Sequence, residues 1–72
     1  MAYFLELNKN FVISSVSGDE NIKTRLIELG FISGHSFKII EQLSFGDPFI
    51  VEVQGTTVAL RKKELECIQI QK

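Results

Sequence analysis

Residues 36–60, SFKIIEQLSFGDPFIVEVQGTTVAL, decide the fold, because their hydrophobic residues recur with a period of two. Phe37, Ile39 and, after Glu41, Leu43 fall on one face, while Ser36, Lys38, Ile40 and Gln42 fall on the other, as in a strand with one wet face. Phe45-Gly46-Asp47-Pro48 is turn chemistry: Gly46 tolerates positive φ, and Pro48, which has no N–H to give a ladder, marks the start of a strand. Phe49, Val51 and Val53 then alternate with Ile50, Glu52 and Gln54. Gly55-Thr56 is expected to turn the chain into a further strand from Thr57 to Arg61, with Val58 and Leu60 facing inward.

Upstream, Phe11-Val12-Ile13-Ser14-Ser15-Val16 is rich in β-branched residues and places Phe11, Ile13 and Val16 for a half-buried first strand. Ser17-Gly18-Asp19-Glu20 has the spacing of a capping box, with Ser17 as N-cap and Glu20 reaching back to it. Ile22, Leu26 and Leu29 share one helical face, and Gly30 ends the helix with Phe31 placed to touch Leu26, so a helix is expected over Asp19–Leu29. Downstream, Arg61 to Leu65 reads as a single turn before a last short strand, Ile68-Gln69-Ile70. About five short strands and one short helix after the first of them make a mainly β chain. Such strands avoid open edges by curling, so a small, partly closed barrel is expected.

A chain of 72 residues is expected to form one domain, with little interior to spare for an enclosed active site. Eight basic and nine acidic side chains give a formal charge of -1, which provides no net positive field for nucleic acid or anionic lipid. The lone Cys67 forms no internal disulfide, and no apolar run approaches the roughly 20 residues that span a bilayer, so a reducing cytoplasm is the expected location. Neither export nor membrane insertion is expected.

Arg25-Leu26-Ile27-Glu28-Leu29-Gly30-Phe31-Ile32-Ser33-Gly34 resembles the signature stretch of the FeoA family, an Arg-Leu pair followed by Leu-Gly, a hydrophobic residue and a later glycine. Gly46-Asp47-Pro48 resembles the family's bend, and Val58-Ala59-Leu60-Arg61-Lys62-Lys63-Glu64 resembles its segment before the last strand. The three occur in the family's order, and the resemblance runs from about Phe4 to Ile70. It implies an SH3-like barrel that works in the cytoplasm with FeoB, a membrane permease carrying a G-protein domain. The same barrel is found at the C-terminus of metal-dependent repressors of the DtxR type. No helix-turn-helix precedes the first strand here, so the repressor role is not expected. Asn8-Lys9-Asn10 departs from the family, which commonly has a glycine-containing turn there.

Imidazole and thiolate suit ferrous iron or zinc, which makes His35, Cys67, Glu64 and Glu66 the candidate ligands. Their spacing matches no local ligand pattern, so no metal site and no resident cofactor are assigned, beyond a weak interaction with Fe(II). Ordinary roles are a polar turn residue for His35 and a small apolar filler for Cys67. A nucleophilic thiol needs a base and an orienting group, and a single His is a poor supply, so no catalytic residue is assigned. Gly46-Asp47-Pro48 is followed by no Lys and Ser/Thr of a phosphate-binding loop.

The candidate partner-binding residues are Phe45, Asp47, Ile50, Arg61, Lys62 and Lys63. Arg61-Lys62-Lys63 is the densest run of basic residues, suited either to an acidic surface or to solvent, and Arg61 is also a candidate arginine for a partner's nucleotide. Phe45 and Ile50 are apolar where a wet face is expected, so each is either an interface anchor or a cover for an open barrel end. The leading expectation is a non-enzymatic module that docks on the cytosolic region of FeoB in support of ferrous iron transport. The alternative is a weak Fe(II) carrier or sensor using His35, Cys67 or carboxylates.

Overall fold

The computed structural model describes residues 6–43 and 47–71. Its elements run β1 (Asn10–Val16), α1 (Glu20–Leu29), β2 (Ser36–Gln42), β3 (Phe49–Val53), β4 (Thr56–Leu60), α2 (Lys62–Leu65) and β5 (Ile68–Ile70). All strand pairs are antiparallel, in the order β4-β3-β2-β1-β5. The first half of β1 pairs with β2 and the second half with β5, so β1 carries the sheet around a corner. Between Ile13 and Ser15 the register shifts, with Ser14 as the extra residue of a bulge. That bulge explains the uneven spacing in β1: Phe11 and Ile13 are buried two residues apart, and Val16 comes back against the core three residues later.

The inward residues of the sheet are those expected from the alternation. Phe37, Ile39, Phe49, Val51, Val53 and Leu60 are buried, joined by Leu26, Phe31, Leu65 and Ile68. Leu43 differs. A second bulge at Ile40, where Ile39 pairs with Val51 but Glu41 with Ile50, breaks the alternation, and Leu43 lies past the strand end and exposed. The β3–β4 bend also differs by one residue. Gln54 and Gly55, both at positive φ, form the two-residue loop, so β4 begins at Thr56 and ends at Leu60, short of Arg61.

The start of α1 is a correction. Asp19 is the N-cap, its Oδ1 accepting the Ile22 N–H at 2.9 Å. Ser17 instead gives its N–H to the Cys67 carbonyl at 2.7 Å, which ties the end of β1 to the start of β5. Gly18 makes the difference: at φ 108 it swings the chain away before the helix begins, so the Ser17 side chain does not cap it. A Cβ at this position would sit 2.9 Å from Cys67 Sγ, a second reason for glycine.

The end of α1 follows expectation. Gly30 is left-handed at φ 112, its N–H donates to Ile27 O, and the Phe31 N–H donates to Leu26 O at 3.0 Å, the double closure of a Schellman motif. Leu26 and Phe31, both fully buried, make the accompanying apolar contact, while Ile22 and Leu29 pack on the core edge. Asn8 takes positive φ of 62, and its N–H donates to Ile39 O at 2.7 Å. Asparagine thus fills a left-handed position within the segment where the resembled family commonly has glycine.

Candidate partner-binding site

The end of β4 and the short α2 form a basic turn that is held from within and by two distant stretches of chain. The Asp47 carboxylate caps α2: Oδ1 accepts the Lys62 N–H at 2.8 Å, and Oδ2 accepts from Arg61 Nη1 at 3.3 Å. Glu64 works from inside the turn, its Oε1 accepting the Arg61 N–H at 2.8 Å. Its Oε2 pairs with Arg25 of α1. Two carboxylates therefore fasten α1, the β2–β3 connection and α2 together. Four cations, Arg25, Arg61, Lys62 and Lys63, surround them, so the corner remains net basic.

Most of these charges are exposed. Arg61 is 66% and its partner Asp47 37% exposed, so this pair is screened by solvent and adds little to stability. Glu64 is only 13% exposed, and its bond to a backbone N–H is the stronger fastening. Lys62 and Lys63 present exposed side chains. Ile50 lies on the outer face of β3 opposite Ala59 of β4 and is half-buried there, which places it on the sheet face rather than over a barrel end. Ile50, Asp47 and the Arg61–Lys63 turn thus fall along the same end of the β3–β4 ribbon. Phe45 lies outside the described residues.

The candidate metal ligands are committed elsewhere and apart. His35 clasps the loop after α1: its Nδ1 is 3.2 Å from Gly30 O, its N–H donates to Ile32 O, and its carbonyl accepts the Ile13 N–H. Cys67 Sγ lies against Gly18 and contacts the Lys63 carbonyl at 3.4 Å. Among the described residues, no three His, Cys, Asp or Glu side chains converge.

Burial, and then Asp19, Glu66 and Glu64 nearby, push the Cys67 thiol above its ordinary 9.0. Metal binding and nucleophilic attack both require thiolate, which this setting disfavours. The unfolded chain ionises first as pH rises, so the thiol's contribution to stability is intact below 9.0 and declines above it. Alkylation of the native protein by iodoacetamide is therefore expected to keep accelerating at pH values beyond 9.0, where the urea-unfolded chain has reached half its maximum rate. Coincident pH profiles for the two states would show that the fold does not shelter the thiol.

The links Arg25–Glu64 and Asp47–Arg61 were not legible in the sequence. They span 39 and 14 residues, and opposite charges so far apart carry no pairing signal until the chain is folded.

Residues 3–72 match the FeoA domain family. The crystal structure of Stenotrophomonas maltophilia FeoA with zinc is 30% identical over 92% of this chain and 82% of that one, with a TM-score of 0.81. That protein is described as a prokaryotic SH3 domain protein and a candidate activating factor for bacterial ferrous iron transport. The solution structure of FeoA from Chlorobium tepidum is 26% identical over 90% of this chain, with a TM-score of 0.83. Iron(II) transport protein A from Clostridium thermocellum is 22% identical over 90% of this chain, and its TM-score of 0.84 speaks for the fold. This chain spans 40% of the Clostridium thermocellum chain and 62% of the Chlorobium tepidum chain. The architecture is thus the SH3-like barrel expected from the resemblance.

Proposed function

Because the chain belongs to the FeoA family, we propose that it is a non-catalytic cytoplasmic accessory of ferrous iron uptake that docks on the cytosolic region of a FeoB-type permease. The observation that carries this reading is the basic turn at Arg61–Lys63. The three stretches with family resemblance meet there, and their carboxylates, Asp47 and Glu64, are spent on holding the turn's backbone rather than on a ligand. The result is a braced cationic corner beside an uncharged strand, a surface for a protein partner that carries acidic side chains. No helix among the described residues is long and apolar enough to cross a membrane, and the permease would supply the membrane-spanning part.

Calorimetry with the purified cytosolic region of the permease tests it. Binding that weakens as salt rises is expected, with Lys62→Glu/Lys63→Glu losing about tenfold or more in affinity, because two reversed charges at an interface rim each cost on the order of 1 kcal/mol. Absence of binding by the native chain would overturn the docking reading. Binding indifferent to both salt and the charge reversal would move the interface away from this turn.

A further inference from the structure

The strand that leads into the basic turn has an edge that no described strand pairs with. Among the described residues β4 pairs with β3 alone, and its register runs without a bulge from Val53↔Thr56 to Phe49↔Leu60. A two-residue loop makes Val53 and Thr56 a hydrogen-bonded pair, and antiparallel ladders alternate, so Thr56, Val58 and Leu60 direct their backbone groups toward β3. Thr57 and Ala59 therefore direct theirs outward, two N–H and two C=O groups in a row. Both residues are exposed. Edges are normally defended by lysine, proline, a bulge or an inward charge, and Thr56-Thr57-Val58-Ala59-Leu60 has none of these. The opposite edge, β5, is three residues long.

We infer that β4 accepts an extended segment of the protein partner as a sixth, antiparallel strand, and that this segment has an acidic residue at its N-terminal end. The inference rests on the docking reading above. Charge selects the occupant. An antiparallel strand on β4 starts beside Arg61-Lys62-Lys63, where an acidic side chain meets a net positive turn. A second copy paired about Val58 would instead bring Gln54 and Gly55 to that turn and leave its charge unanswered. The neighbouring outer face suits such a strand: Ile50 stands opposite Ala59, and Glu52, opposite Thr57, is already paired with Lys38 at 3.7 Å.

Amide hydrogen exchange of the full chain, free and saturated with the permease's cytosolic region, provides the test. The Thr57 and Ala59 amides should exchange quickly in the free protein and slow by about tenfold or more in the complex, as new ladder donors do. Ala59→Pro removes an outward N–H that the barrel does not use, so it should leave thermal stability nearly unchanged and weaken binding by about tenfold. Binding with both amides still exchanging freely would overturn strand addition and leave docking intact. Protection that rises with protein concentration in the free chain would assign the edge to a second copy and overturn the inference. Absence of binding would defeat the docking reading and this one with it.

Discussion

Phe31→Ala is expected to lower the unfolding free energy by about 3–5 kcal/mol, the range for deleting a fully buried aromatic side chain. Phe31 is 0% exposed and meets Phe37 edge-on, with ring centroids 5.7 Å apart; Phe37 in turn meets Phe11 at 5.8 Å. The side chain thus couples the end of α1 to β2 and β1. It also supplies the apolar half of the helix closure opposite Leu26, so its loss loosens a stop signal as well as opening a cavity. A chain of this length has a total stability on the order of 4–11 kcal/mol, so the variant should forfeit at least about a quarter of it, and up to all of it at the lower end of that range. Urea titration at 15 °C measures the difference. Phe31→Leu, which keeps most of the volume, should cost under half as much. A loss below about 1 kcal/mol for the alanine variant would mean that α1 does not depend on this contact for its docking.

Glu64→Ala is expected to cost about 1.5–3 kcal/mol, the usual range for a hydrogen bond to a charged group. One carboxylate serves two segments, accepting the Arg61 N–H at 2.8 Å and pairing with Arg25 of α1. The Arg25 pair contributes the smaller share, because that arginine is 50% exposed and screened. Glu64→Gln separates the two: its amide oxygen still accepts from Arg61 N–H, so it should lose under about 1 kcal/mol. Both costs are read by urea titration, and Arg25→Ala should match the glutamine variant rather than the alanine one. Equal losses for Glu64→Ala and Glu64→Gln would reassign the stabilisation to the ion pair. The alanine variant should also weaken binding to the permease's cytosolic region, since the basic turn would lose its brace.

Much of the barrel was legible residue by residue. Phe37, Ile39, Phe49, Val51 and Val53 alternate because alternate side chains of a strand point to opposite faces, and all five are buried. Gly30 and Phe31 carry the end of α1 in two letters. The misreadings share a cause. Ser17 had the right letter and spacing for a cap, but the backbone at Gly18 hands that role to Asp19 and turns Ser17 to the Cys67 carbonyl. Leu43 had the right parity for the core until a bulge at Ile40 broke the count. A bulge reflects how one strand must bend to follow its partner, and parity counting along a single segment does not contain it.

The candidate site divides along the same line. By itself the sequence determined the strand faces, the helix and its stop, the mainly β class and the family likeness, all of which depend on contacts near in sequence or on local pattern. It also marked Asp47, Arg61, Lys62 and Lys63 as residues of interest, though only as charges near turns. Tertiary structure alone decided that Asp47 caps α2, that Glu64 answers Arg25, that His35 and Cys67 serve separate joints, and that the edge of β4 runs directly into the basic turn. Pairings across 14 and 39 residues depend on how the sheet curls and where α1 lands on it, and those are properties of the packed core as a whole.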